Sequence, residues 1–252
     1  DNSNLYVSFN WKAGNAQGSS NTDGSINTTY TSVNTTAGFS ISQYTGNGIA
    51  DATVGHGLGA KVDFLIIKDL GNASNWIVGH KDTFTTGEIY LNQGNSLSAA
   101  FGPFNKTAPT TSVFNLGTDV ICNGSGRNYI AYAYATKKGF SRFGSYTGNG
   151  STDGPFVYTG FKPAFVMVKN FDTAINWLIL DNKREGYNPQ KLALFPNTTT
   201  DETGDYLIDF NSTGFKIRTA TSALNGNNQD LVYMAFAEAP LVGSNNIPCT
   251  AR

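Results

Sequence analysis

The sequence predicts an all-β protein: two tandem antiparallel β-sandwich repeats, with an N-terminal strand and linker left from a preceding unit. Three observations carry this expectation. Ordered motifs recur at a nearly constant spacing. Short apolar stretches alternate with turn-forming Gly, Asn, Ser and Thr. No helical periodicity extends beyond about ten residues.

The recurrence is clearest at Tyr-Thr-Gly-Asn-Gly, found at Tyr44–Gly48 and Tyr146–Gly150. Each copy follows a Gly-Phe-Ser, at Gly38–Ser40 and Gly139–Ser141. Each precedes an apolar run ending in lysine, Phe64–Lys68 and Phe165–Lys169, and then an Asn-Trp, Asn75-Trp76 and Asn176-Trp177. Near the end of each copy lies a strand of alternating large and small residues, Tyr129–Ala133 and Tyr233–Ala237. The offset is 102 residues from Tyr44 to Tyr146, 101 from Trp76 to Trp177 and 104 from Tyr129 to Tyr233. These motifs place repeat 1 at 38–138, repeat 2 at 139–240 and a C-terminal tail at 241–252.

The first residues resemble a third copy of the terminal strand. Tyr6, Val7, Phe9 and Trp11 lie in a segment, residues 1–13, that either closes a preceding repeat or adds to a neighbour's sheet by β-augmentation. Residues 14–37 read as a polar linker or extended arm. The chain begins at Asp1 without Met, as a processed protein or a portion of a longer one would.

Within each repeat the elements follow from local pattern. Phe64–Ile67 and Phe165–Val168 are apolar on both faces and read as central strands, with Phe64 and Phe165 in the core. A polar loop and a second strand follow, opened by Trp76 or Trp177. An aromatic face suits sugar stacking, but each Trp leads directly into Ile or Leu, which assigns both to the core. Further strands are expected at Glu88–Leu91, Val113–Leu116, Lys191–Phe195, Tyr206–Phe210 and Phe215–Arg218, the last two joined by a turn at Asn211–Gly214. Asn47-Gly48 and Asn149-Gly150 read as structural hairpin turns, because Asn and Gly accept positive φ. The alternative to two separate sandwiches is one composite sandwich, half from each copy.

Composition limits function. Of 252 residues, 39% are hydrophobic and only 14% charged, with a net charge of −1. A balance so near zero gives no footprint for nucleic acid or an acidic membrane. The apolar runs are too short for membrane insertion. Cys122 and Cys249 read as free thiols. His56 and His80 have no ligand-like spacing to other residues, and no nucleotide or nucleophile motif is present, so no catalytic, metal or cofactor site is expected. Asp181, Asp201, Glu202, Asp205 and Asp209 read as solvated turn residues.

The candidate ligand site is the loop Asn182–Lys191, where the repeats differ most: Tyr187, with Arg184 and Asn188 beside it. Divergent loops on a common scaffold are where recognition resides, although an ordinary solvated loop has the same composition.

The phrases "GFSISQYTGNG…DATVGHGLGA", "FGSYTGNGSTDGPFVYTGFKPAFVMVK" and "GFKIRT…YMAFAEAP" resemble a repeat family at the C-terminal end of tail-fibre-like structural proteins of marine and cyanobacterial tailed bacteriophages. That resemblance implies a non-enzymatic virion protein, a tail fibre or appendage subunit, assembled in the host cytoplasm and exposed outside. It implies a homo-oligomer, a trimer by preference, contacting other virion proteins and a host-surface glycan. A capsid decoration or filament subunit joined by strand exchange is the alternative; a glycan-degrading enzyme ranks below both.

Overall fold

The structure, a computed structural model, describes residues 7–99 and 102–238. It is nearly all β. β1 (Thr28–Asn34) precedes repeat 1, which contains β2 (Phe39–Thr45), β3 (Ala52–Gly55), β4 (Phe64–Asp69), β5 (Ile77–His80), β6 (Ile89–Tyr90), β7 (Val113–Leu116), a single helical turn α1 (Val120–Asn123) and β8 (Asn128–Tyr134). Repeat 2 contains β9 (Ser141–Thr147), β10 (Phe156–Tyr158), β11 (Pro163–Asn170), β12 (Leu178–Asp181), β13 (Ile208–Asn211), β14 (Gly214–Ile217), α2 (Ser222–Asn225) and β15 (Asp230–Ala237).

Four sheets form: β1-β2-β8-β4-β5-β6, β12-β11-β15-β9, β3-β7 and β10-β14-β13. Strand alternation decides how they stack. In β8, Tyr129, Ala131 and Ala133 face a core closed by Val54, Phe114 and Leu116 of the small β3-β7 sheet. In β15, Leu231, Tyr233 and Ala235 face a core closed by Val157, Phe210 and Phe215. The opposite, bulkier faces meet each other: Phe64, Ile66 and Tyr134 of repeat 1 pack with Phe143, Phe165, Met234 and Phe236 of repeat 2 in a third core. Both arrangements read from the sequence therefore coexist. Each repeat is a sandwich, and the two large sheets form a composite one between them.

Polar groups tie this middle core. Trp177 donates its indole N–H to the Tyr90 carbonyl at 2.8 Å. The buried Lys169 ammonium donates to the carbonyls of Ile175 at 2.6 Å, Asn170 at 2.8 Å and, across the repeats, Gly94 at 3.1 Å. Burial lowers its pKa to about 8. Trp177, Phe64 and Phe165 are core residues as expected. Trp76 is not: it is half-buried and stacks on Tyr132 at the margin of the shared core.

Sheet register corrects the motif alignment. Tyr44 pairs with Tyr129 in repeat 1, and Tyr146 pairs with Leu231 in repeat 2. The structural offset of the last strand is thus 102, and Tyr233 occupies the position of Ala131. The two Tyr-x-Ala-x-Ala motifs are two residues out of step along equivalent strands. A slip of two preserves which side chains face inward, so the hydrophobic pattern could not reveal it.

The N-terminal reading also changes. Tyr6 lies outside the described residues, and residues 7–13 form no strand. Phe9 and Trp11 dock as side chains instead, 4.9 Å and 5.5 Å from the Phe165 ring, with Trp11 also 5.3 Å from Phe236. They cap the chain's own shared core. The expected linker contains β1, which pairs with β2 along its full length. Lys191–Phe195 forms only isolated bridges, at Ala193 and Leu194. The Asn211–Gly214 turn is present between β13 and β14. Residues 241–252, with Cys249, lie outside the described residues; Cys122 is a buried free thiol.

Asn47-Gly48 and Asn149-Gly150 are structural but not hairpin turns, because β2 and β3 belong to different sheets. Each loop is pinned to the helical turn of its own repeat. Asn123 accepts from the Asn47 N–H at 2.9 Å and donates to the Gly117 and Ile49 carbonyls. Asn225 accepts from the Asn149 N–H at 2.8 Å and donates to the Ser151 and Thr219 carbonyls. Gly48 and Gly150, at φ 71° and 66°, supply the left-handed turn that brings the loop back.

Candidate functional site

In the expected loop the three candidate residues have different surroundings. Arg184 is committed to the fold: it bonds the Asp181 carboxylate at 2.6 Å, Glu202 at 2.7 Å and the Leu192 carbonyl at 2.7 Å. Asn188 exchanges two hydrogen bonds with the Phe210 backbone, at 2.9 Å and 3.0 Å. Both polar side chains are tied to neighbouring groups of the fold, while Tyr187, 71% exposed, projects from the loop.

Divergence between the repeats leads elsewhere, to the free margin of repeat 2. In repeat 1 the corresponding margin is sealed by the chain's own arm. β1 covers the edge of β2, and Ile26 bridges to Val54 on the edge of β3. A chain of hydroxyls locks the seal: Thr28 to Thr31 at 2.9 Å, Thr31 to Ser42 at 3.1 Å and Ser42 to the Gly55 carbonyl at 3.3 Å. Small residues on β2 and β3 make room for it; a Cβ on Gly55 would meet the Asn21 side chain at 1.7 Å.

Repeat 2 has no such arm. β9 and β10, the counterparts of β2 and β3, both end their sheets. Between them lies a cleft of about 290 Å³ lined by Arg142, Gly144, Ser145, Phe156, Tyr158 and Tyr233, with Lys81 reaching in from repeat 1. Sheet register makes the comparison exact in position: Arg142 stands for Ser40, Gly144 for Ser42, Phe156 for Thr53, Tyr158 for Gly55 and Tyr233 for Ala131. Five replacements converge on one cleft. They turn a polar, self-sealed seam into an open one bearing three aromatics and a cation.

The replacements are mutually adjusted. A Cβ at position 144 would meet the Tyr233 hydroxyl at 2.8 Å, so glycine there admits the larger ring. Arg142 and Tyr233 line the cleft together; burial raises that phenol's pKa, and the guanidinium opposes the rise. Phe156 and Tyr158, 47% and 60% exposed, flank the buried Val157 and share the outward face of β10. Exposed aromatics two residues apart on one strand face form a patch that folding does not require.

Lys81 is flanked in sequence by His80, which is buried, and Asp82. Lys81 bonds Asp82 at 2.7 Å. Burial pushes the Asp82 carboxyl up, but hydrogen bonds from Lys81 and Ser145 outweigh it and hold the group below its ordinary value. Burial drives the neighbouring His80 down to about 4, so it is neutral at pH 7. Its Nδ1 accepts the Asp82 backbone N–H at 3.2 Å. Lys81 is therefore already partnered, whereas no carboxylate among the described residues pairs with Arg142. No group of three metal-ligating side chains occurs among the described residues.

The match to known families spans the arm and both repeats together, residues 1–240. The chain belongs to the DUF7483 family, a domain of unknown function. In this DUF7483 chain one match takes in both sandwiches, as a single shared core would require. Comparison with curated proteins and with solved structures gives no match.

The cleft residues carried a signal that motif reading passed over. The stretch Pro155–Lys162 departs from its counterpart Ala52–Ala60 by gaining aromatics at alternate positions, the pattern of an outward strand face. Recognising it as a cleft required knowing that the arm seals only repeat 1.

Proposed function

We propose that the chain is a non-enzymatic structural subunit of a bacteriophage appendage of the tail-fibre type, and that the cleft between β9 and β10 binds host-surface glycan. The carrying observation is the contrast between repeats. The same margin is sealed by β1 and Ile26 in repeat 1, and open in repeat 2 with Phe156 and Tyr158 exposed on it. Aromatic faces pack on the apolar faces of sugar rings, and Arg142 and Ser145 supply polar contacts alongside them. The cleft lining contains no carboxylate, whereas glycosidic hydrolysis uses a facing pair. The motif resemblance to phage fibre repeats supplies the virion setting.

A second reading, assembly by strand addition, draws on the free edge of β9. Arg142 projects from that edge and is exposed, a feature that opposes pairing with another strand.

The test is adsorption of the labelled, purified chain to host cells and to their extracted surface polysaccharide, with competition against the intact phage. Expected is saturable binding that the Phe156→Ala, Tyr158→Ala double variant loses while keeping its melting temperature. Equal binding by the double variant would refute the assignment of the cleft.

A further inference from the structure

We infer that the saccharide bound in this cleft is acidic, with a carboxylate or sulfate group carried to Arg142. The inference rests on the glycan reading of the cleft and deepens it. Of the two cations in the lining, Lys81 is neutralised by Asp82 at 2.7 Å. Arg142 has a phenol for its neighbour instead: the hydroxyl of Tyr233, a neutral acceptor that positions the guanidinium without cancelling its charge.

The comparison between repeats shows that the charge is not demanded by the strand. At the equivalent position of repeat 1 stands Ser40, buried. Arginine appears only in the repeat whose cleft is open. It comes with Gly144, which admits Tyr233, and Tyr233, which meets Arg142; this trio is a supporting set around one cation. A guanidinium fork held in this way suits planar two-oxygen groups, and such charge-assisted pairs are stronger than neutral hydrogen bonds. Phe156 and Tyr158 lie on the same cleft wall, where a sugar ring attached to that acidic group would stack.

A peptide strand is the competing occupant. The acidic saccharide is favoured because exposed rings and an unpaired cation are wasted on a backbone ladder, and the β1 sequence that fills repeat 1, Thr28–Asn34, contains no acidic residue for Arg142.

The experiment measures binding of the whole chain to an array of uronate-containing and sulfated oligosaccharides, each printed beside its carboxyl-reduced or desulfated counterpart. Arg142→Gln and Tyr187→Ala are run in parallel, with melting temperature recorded for each. Expected is binding to acidic members, weakened on the order of tenfold or more by neutralising the sugar and by Arg142→Gln, with Tyr187→Ala unchanged. The carboxylated and sulfated arms identify which acid is used. Equal binding of neutral and acidic partners would overturn the acidic assignment while leaving the glycan reading intact. Binding to no saccharide, or binding of a peptide with the sequence of residues 18–34 that Arg142→Gln does not weaken, would overturn both.

Discussion

Trp177 of repeat 2, buried in the middle core, donates its indole N–H to the backbone carbonyl of half-buried Tyr90 in repeat 1, at 2.8 Å. This hydrogen bond spans the repeats. Trp177→Phe removes the donor and leaves a void. It is expected to destabilise the chain by about 2–3 kcal/mol. Urea unfolding should still show one transition, because the shared core links the two sandwiches. A change below about 0.5 kcal/mol would show that the contact carries no weight.

Asn123 and Asn225 do the same work in both repeats, and both are fully buried. Replacing either with Ala strands at least two backbone carbonyls, with an expected cost of about 2–3 kcal/mol each. Asp should be no better than Ala, since an ionised carboxylate cannot donate to those carbonyls. Denaturant midpoints of the four single variants check this. Retained stability in Asn225→Asp would contradict the assigned donor role.

The loop at Asn182–Lys191 separates fold from recognition. Arg184→Met leaves the buried Asp181 carboxylate without its cation and is expected to destabilise by about 3 kcal/mol. Tyr187→Ala, in the same loop, should stay within about 0.5 kcal/mol of the parent and bind saccharide as well as the parent does. Thermal melts and the binding assay read the two effects separately.

Acid should weaken the fold before Asp69 and Asp82 titrate. His80 is held neutral down to about pH 4, and burial also lowers His56. The unfolded chain takes up those protons near pH 6.5, so it binds more protons than the folded state between about 6.5 and 4, and stability falls through that window as pH falls. For His80 alone the loss is on the order of 2–3 kcal/mol. Asp69 and Asp82, held below their ordinary values, add their losses only below about pH 4. Melting temperatures from pH 7 to 4 should drop less steeply for His80→Gln; parallel curves would remove His80 as the cause.

How much of this was legible in the sequence varies with the range of the interaction. The duplication, the central strands at Phe64 and Phe165 and the Asn211–Gly214 turn are local patterns, and the chain states them openly. The third core was named only as an alternative, because alternation shows that a face is buried but not what buries it. Phe9 and Trp11 looked like strand residues for the same reason: their spacing is right for one face, and only the packing shows that side chains, not backbone, dock. The partners of Arg184 and Asn188, Asp181 and Phe210, were not legible, because a polar loop shows its composition but not what lies underneath it. The replacement of Thr53 and Gly55 by Phe156 and Tyr158 could not be read as a cleft, because its meaning depends on an arm that lies outside both repeats and pairs with only the first.

The middle core has a consequence for the covalent chain itself. The repeats are joined by side-chain contacts as well as by the covalent segment at residues 135–140: Phe64 meets Phe143, and Tyr134 meets Phe236. A backbone nick there would leave the particle whole, and the two halves made as separate polypeptides would find each other. Each half alone would expose the same greasy plane and pair with its own kind. Fusion into one chain thus fixes the ratio of the sealed repeat to the open one at one to one among the described residues.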